Sequence, residues 1–368
     1  MAQRNKRRTT NTPTSAQKAI AMPSAPTKGQ KVLGRVAEQP PTLNRIAAAR
    51  ASTEAMLKSR GKALDFVIPG LLVRTVGIFV GGSGVGKSHF ALQNAISVGI
   101  GRDIFNFWGD PENPFRMKKG KVMYISAEDG EDVVTQRLQN ACKKLSSRQR
   151  RAVKENVQFF FPQTFSIVTR QDGVLTESDW IRDLHAELCT WEEKPRLIIV
   201  DTLNRSLGDA NENSASGMAK IEEALKRVAE TYGCGVQLVH HALKGSGDAE
   251  AGLKPDVARG SSAAVCNARS MINLALDDTN PNVIWYALSK ANYGPKPPIR
   301  FAIRDSDGVL FGTRQHPDKV LPVKSVGKKG AENGSAAVLT GKKNGGSVEP
   351  GAPRNRGKPH ASAHNHLN

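Results

Sequence analysis

Apolar residues in the middle of the chain follow two kinds of pattern. Four short runs rich in Val, Ile and Leu have the length of buried β-strands. Glycines follow the first run, and polar residues lie at the ends of the other three. In other stretches apolar residues recur every three or four positions, as in amphipathic helices. The strand-like runs are residues 76–80, 121–127, 197–202 and 235–241, and the helical stretches are residues 132–153, 180–188 and 218–232.

A different pattern occupies the region after residue 260. Short apolar runs follow one another there without helical stretches between them, which predicts an antiparallel arrangement. Strands that alternate with helices favour a parallel sheet instead. The sequence therefore predicts an α/β fold, a mostly parallel sheet flanked by helices with a C-terminal antiparallel extension. The runs of this extension are residues 271–276, 283–288, 299–303 and 309–311.

The first strand leads directly into a glycine-rich segment that matches G-x-x-x-x-G-K-S/T and is followed by a helical pattern. Glycines allow backbone N–H groups to surround phosphates, and a helix N-terminus favours the anion. We predict that Lys87 contacts the β and γ phosphates of ATP and that the Ser88 hydroxyl ligates Mg²⁺. The predicted nucleotide-binding residues are Gly81, Gly82, Ser83, Gly84, Val85, Gly86, Lys87, Ser88 and His89.

Carboxylates follow the next two strands. Glu128 and Asp129 come directly after the strand at 121–127. A carboxylate at this place can orient and deprotonate an attacking water, so Glu128 is our candidate general base. Asp129 is an alternative for that role, or a cap for the following helix. Asp201 closes the apolar run at 197–200 in the Walker B pattern and is predicted to hold Mg²⁺ through its water shell.

Three further residues are candidates for phosphate sensing and charge neutralisation. His241 ends a strand, where a histidine is usually an ordinary polar residue but can donate a hydrogen bond to a nearby γ-phosphate. In a ring of subunits, Arg259 or Lys290 could enter a neighbour's site and neutralise charge in the transition state. Arg259 is the better candidate and Lys290 the second, and their spacing also fits ordinary surface residues.

The formal net charge of +19 is concentrated at the two ends of the chain. Residues 1–60 carry 12 Lys and Arg against 2 Asp and Glu, and residues 314–368 carry 10 against 3. Both ends are poor in apolar residues, so we predict disordered basic tails that attract nucleic-acid phosphates or serve as solubilising tails. The ATPase domain is accordingly predicted at residues 61–313.

Composition also argues against other classes of protein. The four cysteines lack C-x-x-C spacing, which favours reduced structural thiols. No apolar stretch has the length of a membrane span, and none follows the basic residues 6–8 as in a signal peptide. We expect a soluble, cytoplasmic protein that acts without a membrane partner.

Together these motifs resemble the hexameric plasmid replicative helicases of the RepA type, a branch of the RecA/DnaB superfamily. The resemblance extends over about residues 60–312 and implies a RecA-like P-loop ATPase that forms a ring of six copies around single-stranded DNA. A primase or initiator would then be a separate protein. By position it implies phosphate and Mg²⁺ contacts at Lys87 and Ser88, a catalytic glutamate at Glu128, a Walker B acid at Asp201, a γ-phosphate sensor at His241 and an arginine finger at Arg259.

Two loops are predicted to contact DNA. In RecA-like motors the loops after the Walker B strand and after the sensor strand face the central channel, and in this sequence these loops are residues 204–217 and 244–258. Arg205, Lys244 and Lys254 are our candidate phosphate contacts there. Neither loop contains an aromatic residue, which favours backbone tracking over base readout. The predicted function is ATP-driven translocation and duplex unwinding. The alternative is a DNA-stimulated ATPase that remodels or loads other proteins on DNA without unwinding.

Overall fold

The computed structural model describes residues 47, 49–109, 115–210, 214–242, 248–257 and 268–319. The chain divides into two compact units, Met1–Leu64 and Asp65–Asn368. Most of the two predicted basic tails lies outside the described residues, and so do Lys244 and Arg259.

The described part of the first unit contains a short helix, α1 (Thr53–Lys58). The Ser52 side chain accepts a hydrogen bond from the backbone N–H of Ala55, and Glu54 and Lys58 form an ion pair one turn apart. Both features stabilise a helix locally, although none of its residues is buried. This helix lies inside the segment that the sequence predicts as disordered.

The second unit is built around a nine-stranded sheet among the described residues, in the order β13-β12-β11-β10-β3-β9-β8-β4-β5. The six strands from β10 to β5 are parallel, and β11 to β13 extend the sheet antiparallel, which confirms the predicted fold class. The strands are β1 (Phe66–Ile68), β2 (Leu71–Leu72), β3 (Val76–Gly81), β4 (Lys121–Ser126), β5 (Val157–Phe160), β6 (Val168–Gln171), β7 (Val174–Glu177), β8 (Pro195–Asp201), β9 (Gly235–His241), β10 (Ser270–Leu276), β11 (Val283–Ala291), β12 (Arg300–Arg304) and β13 (Leu310–Thr313).

Helices cover both faces of this sheet, so alternate residues of β3 enter different cores. Phe79 packs in the core on the side of α2 (Lys87–Ile100), whereas Ile78 and Val80 pack in the core of α5 (Asp179–Thr190) and α6 (Ala215–Tyr232). No helix among the described residues is both long and apolar enough to cross a membrane. The helices are α2 (Lys87–Ile100), α3 (Glu131–Cys142), α4 (Ser147–Asn156), α5 (Asp179–Thr190), α6 (Ala215–Tyr232) and α7 (Ala249–Gly252), with 3₁₀ turns at Leu203–Ser206, Pro255–Val257 and Pro317–Lys319.

The predicted long helix at residues 132–153 is wrong, because two helices occupy this region. Helix α3 ends at Cys142, and α4 begins after Ser146. Ser146 and Gln149 form a reciprocal capping box, in which each side chain accepts a hydrogen bond from the other residue's backbone N–H. A capping box specifies a helix N-terminus, which apolar periodicity alone does not reveal.

The β6–β7 hairpin was also not predicted. Its turn residues Asp172 and Gly173 both have positive φ, 49° and 80°. An Asp-Gly pair is well suited to this type of tight turn, so the signal was present in the sequence.

The antiparallel extension is fastened at its end by a buried carboxylate. Asp277 accepts hydrogen bonds from the Trp285 indole at 2.8 Å and from the Thr279 hydroxyl at 2.7 Å, and it lies 2.8 Å from Nε2 of His316. This network joins β10, β11 and the segment after β13. Burial opposes the charge on Asp277, but these donors hold the pKa of its carboxyl below the ordinary value.

Candidate nucleotide-binding and catalytic site

The polar ends of four parallel strands meet at one edge of the sheet. In the strand register Gly81 lies opposite His241, and Asp201 lies between Val239 on one side and Ser126 on the other. In parallel sheets the carboxyl edge is where ligands bind. The register therefore brings together the three strand ends that the sequence analysis singled out and the glycine-rich loop.

The glycine-rich loop has the backbone conformation of a phosphate cradle. Gly84 and Gly86 have φ values of 73° and 102°, which glycine adopts at little cost. Gly86 is the N-cap of α2, and the buried Lys87 turns back so that Nζ donates to the Gly82 carbonyl at 2.8 Å. The side chain of Val85 packs in the hydrophobic core instead, so this predicted binding residue offers a ligand only its backbone.

Asp201 is a buried carboxylate with two different oxygens. Its Oδ2 atom accepts a hydrogen bond from the Tyr124 hydroxyl at 2.6 Å, whereas Oδ1 is buried and accepts none from the described residues. Burial raises the pKa of Asp201, and the hydroxyls of Tyr124 and Ser88 oppose this shift. The following peptide bond, to Thr202, is cis.

A continuous row of polar contacts crosses the site from the loop to Glu128. Nζ of Lys87 lies 3.4 Å from Nδ1 of His241, and Nε2 of His241 lies 3.6 Å from Oε2 of Glu128. The Thr202 hydroxyl donates to the same Glu128 oxygen at 2.8 Å. Burial lowers the pKa of Lys87, and the carboxylates of Asp201 and Glu128 offset part of this shift. The structure thus brings the predicted phosphate contact, sensor and base into one cluster.

The two neighbouring carboxylates after β4 differ in their surroundings. Asp129 forms an ion pair of 2.6 Å with Arg137 of α3, and both side chains are largely buried. The Glu128 side chain is 39% exposed. Its ion-pair partner among the described residues is His241, at 3.6 Å. Arg137 was not singled out by the sequence, where nothing distinguishes it from the other basic residues of this region.

His89, the residue after Ser88, is enclosed on the helix side of the loop. Burial is the main reason that its pKa is lowered to about 4, and the nearby Arg137 and Arg304 guanidinium groups add to the shift. Gly308, in the turn between β12 and β13, packs so closely that a Cβ atom there would lie 3.0 Å from Nε2 of His89. His89 is therefore neutral at neutral pH and packs against the antiparallel extension.

Arg304 connects the antiparallel extension to the glycine-rich loop. Its Nη2 atom donates to the Gly84 carbonyl at 3.0 Å and to the Val85 carbonyl at 2.9 Å. Arg304 lies about 220 residues beyond the loop in sequence, on a strand that carries no phosphate-binding motif. Sequence patterns offered no signal for this contact.

Residues 39–247 match the model of a family described as AAA domain, which is more than half of the 368 residues. The chain belongs to this AAA domain family. The AAA domain protein is thus a P-loop ATPase, as its glycine-rich loop and strand order indicate.

Solved structures similar to this AAA domain protein include the ATPase domain of G40P, with a TM-score of 0.49 and 13% identity over 74% of this chain and 99% of that chain. A DnaB-like replicative helicase, studied with its interactions with primase, has a TM-score of 0.49 and 14% identity over 73% and 68%. The RadB recombinase has a TM-score of 0.43 and 13% identity over 65% and 91%.

Among the other predicted residues that the structure describes, Lys290 lies apart from this cluster. Lys290 lies opposite Met271 of β10, which lies opposite Ile78, three positions before Gly81. Within one chain Lys290 is therefore displaced from the glycine-rich loop toward the amino ends of the parallel strands. Arg205, in a 3₁₀ turn after β8, is exposed.

The second predicted DNA-contacting loop is described only in part. Lys254 is exposed, and its carbonyl accepts a hydrogen bond from Asn273 of β10 at 2.6 Å. Asn273 lies opposite Val80, next to the carboxyl end of β3. This contact attaches the loop to the same edge of the sheet as the polar cluster.

Proposed function

We propose that this protein is an Mg²⁺-dependent ATPase that acts as a ring-shaped replicative DNA helicase of the RepA type. It translocates on single-stranded DNA and unwinds duplex. The observation that carries this proposal is the row of contacts from Lys87 through His241 to Glu128. In this proposal the three residues, from three different elements of the sheet edge, act as the phosphate-binding cation, the polar sensor and the base.

Glu128 is the general base in this proposal. A general base needs an accessible oxygen within hydrogen-bond reach of the water that it activates. Glu128 is partly exposed and oriented by the Thr202 hydroxyl, whereas Asp129 is already paired with Arg137. This difference supports Glu128 over its neighbour, which instead anchors the first turns of α3.

His241 is the sensor that links the nucleotide to the DNA-contacting loop. It ends β9, and the chain continues from there toward Lys244 and Lys254. A γ-phosphate attracts both Lys87 and His241, which pulls the histidine away from Glu128 and displaces the start of the loop. Hydrolysis removes this attraction, so the contact between His241 and Glu128 depends on the nucleotide.

ATP and Mg²⁺ fit the residues at the carboxyl edge. The buried Oδ1 atom of Asp201 lacks a hydrogen-bond donor among the described residues, and Ser88 is the second residue of α2. The described residues include no group of three or more His, Cys, Asp or Glu side chains able to hold a metal. Nucleotide phosphates and water would therefore supply the other ligands, as is usual for Mg²⁺. When bound, the ion neutralises charge on the phosphates.

A ring of subunits gives Lys290 and Arg259 a role. Lys290 is displaced from the glycine-rich loop of its own chain, so it suits contact with the site of a neighbouring subunit. Arg259 is proposed as the arginine finger on its sequence position, which lies outside the described residues. Six copies form the ring in this proposal, as in the RepA-type helicases that the motifs resemble.

Single-stranded DNA is the proposed track. Arg205 and Lys254 are exposed on segments that follow the carboxyl edge of the sheet, and Lys244 belongs to the same loop as Lys254. Contacts of this kind neutralise backbone phosphates without reading sequence. A separate primase or initiator protein is the proposed partner at the origin.

The test is ATP hydrolysis with and without single-stranded DNA, combined with unwinding of a forked duplex. We expect DNA-stimulated turnover and strand separation, both abolished by Lys87→Ala and by Arg259→Ala. Lys226→Ala is a matched control, because Lys226 is exposed on α6 and pairs only weakly with Glu230 at 3.6 Å.

Two outcomes would contradict the proposal. DNA-stimulated turnover without strand separation would favour an ATPase that remodels or loads other proteins on DNA. No turnover, with nucleotide binding retained, would leave a nucleotide-binding module and remove both enzymatic functions.

A further inference from the structure

Tyr124 is a buried residue of the site that the proposed reaction does not use directly. It lies in the middle of β4, only 1% exposed, and its ring packs against Phe159 with 5.6 Å between the centroids. Its hydroxyl donates to Oδ2 of Asp201 at 2.6 Å, 77 residues further along the chain. A charge-assisted hydrogen bond of this length is among the stronger ones in proteins.

The strand register explains how the two side chains meet. Tyr124 lies opposite Ile199 of β8, and Ser126 lies opposite Asp201. Residues two apart on a strand point to the same face, so Asp201 and Ile199 share the face on which Tyr124 lies. The phenol reaches diagonally to the carboxylate, a distance that long side chains can cover.

This contact leaves the two carboxylate oxygens of Asp201 in different states. Oδ2 is engaged by Tyr124, and the buried Oδ1 accepts no hydrogen bond from the described residues. Because the Tyr124 hydroxyl holds Oδ2, the carboxylate cannot rotate to exchange the positions of Oδ1 and Oδ2. Oδ1 is therefore kept available as an acceptor, to which water of a hydrated metal would donate.

We propose that Tyr124 is a positioning residue that orients Asp201 toward the Mg²⁺ of a bound nucleotide. This inference rests on the proposed function, because it requires that the nucleotide binds together with Mg²⁺. The phenol hydroxyl acts through Asp201 and does not contact the nucleotide itself. Its loss weakens the contribution of Mg²⁺ to nucleotide binding and leaves the contacts of the glycine-rich loop intact.

A second tyrosine of the same core provides a matched control. Tyr286 is also 1% exposed, and its hydroxyl donates to the Phe107 carbonyl at 2.7 Å, with no contact to the polar cluster. Replacing either tyrosine by phenylalanine removes one buried hydroxyl and leaves one buried acceptor without that donor. A merely structural role of the Tyr124 hydroxyl predicts the same result for both substitutions.

The experiment measures the affinity of the whole protein for a fluorescent ADP analogue, in Mg²⁺ and in EDTA. We expect Tyr124→Phe to reduce the gain in affinity from Mg²⁺ about tenfold, as expected for a lost hydrogen bond to a charged group. Affinity in EDTA should be unchanged, and Tyr286→Phe should leave both values unchanged. The electron paramagnetic resonance spectrum of Mn²⁺ bound with ADP should also differ from wild type only in Tyr124→Phe.

A double-substitution cycle tests whether Tyr124 acts through Asp201. Asp201→Asn removes the charge that Tyr124 orients, so adding Tyr124→Phe to it should produce no further loss of the Mg²⁺ gain. Equal Mg²⁺ gains in wild type and Tyr124→Phe, or additive losses in the cycle, would overturn the inference and leave the proposed ATPase untouched. Wild-type protein that binds the analogue equally with and without Mg²⁺ would overturn both.

Discussion

The Nζ atom of Lys87 lies 3.4 Å from the Nδ1 atom of His241, although 154 residues separate them in sequence. Because a lysine ammonium only donates, this contact favours the tautomer in which Nδ1 accepts and Nε2 carries the proton. That proton then faces Oε2 of Glu128 at 3.6 Å. The histidine is thus oriented by the residue that is expected to contact the phosphates, and it points at the candidate base.

The position of His241 predicts a specific defect for His241→Gln. Basal nucleotide affinity should change little, because Lys87 and the glycine-rich loop remain, whereas stimulation of ATP turnover by single-stranded DNA should be lost. Comparing turnover with and without DNA measures this directly. His185→Gln is the control, since His185 pairs with Tyr232 at 2.9 Å on α5. Normal DNA stimulation in His241→Gln would refute the sensor role.

Glu128→Gln should abolish turnover while nucleotide binding persists. Loss of a general base reduces the rate about 10²- to 10⁴-fold, and the amide still accepts the hydrogen bond from Thr202. Asp129→Asn removes one charge at the adjacent position and should reduce the rate by less than about tenfold, because it affects the Arg137 pair and not the water. Single-turnover kinetics separate the two effects. The reverse order of severity would transfer the base role to Asp129.

Arg304→Ala should weaken nucleotide binding about tenfold, because hydrogen bonds from a charged group hold two carbonyls of the loop. The effect should be equal in Mg²⁺ and in EDTA, since it acts on the phosphate cradle. Fluorescence titration with an ADP analogue gives both affinities. Arg300→Ala on the same strand is the control, as Arg300 donates to the Gly109 carbonyl at 3.3 Å, away from the loop. An unchanged affinity in Arg304→Ala would mean that the loop keeps its conformation unaided.

The lowered pKa of Asp277 leads us to expect that the antiparallel extension is sensitive to acid. The folded pKa of its carboxyl lies below the ordinary value of 3.8, so its stabilising contribution is complete above pH 3.8 and is lost as the pH falls toward the folded value. The midpoint temperature of thermal unfolding should therefore decrease more steeply below pH 4 in wild type than in Asp277→Asn. Asp307→Asn removes an exposed ion pair with Lys143, and the pH dependence of its midpoint temperature should be the same as in wild type. Parallel curves for all three proteins would contradict the prediction.

Arg205→Ala combined with Lys254→Ala should weaken binding of single-stranded DNA and reduce its salt dependence. Each lost phosphate contact lowers the slope of log affinity against log salt by about 0.7. The double variant should therefore show a slope smaller by about 1.4 in fluorescence anisotropy titrations. Lys220→Ala with Lys226→Ala removes two surface charges of α6 as a control. The same slope in both double variants would exclude Arg205 and Lys254 from the track.

Local patterns determined much of this protein from sequence alone. The signals that predict its elements are contained within a few neighbouring positions. These elements include the glycine-rich loop, the run that ends in Asp201 and the strands at 121–127 and 235–241. Where a short-range signal was overlooked, as in the capping box at Ser146, the predicted helix was wrong.

The tertiary structure decided which distant residues meet. The diagonal contact of Tyr124 with Asp201, the hydrogen bonds from Arg304 to the loop and the displacement of Lys290 from it all depend on the order and register of the strands. Strand order arises from the packing of whole elements on both faces of the sheet, and apolar periodicity does not encode it. The sequence by itself determined the candidate chemical groups, and packing determined which of them share one site.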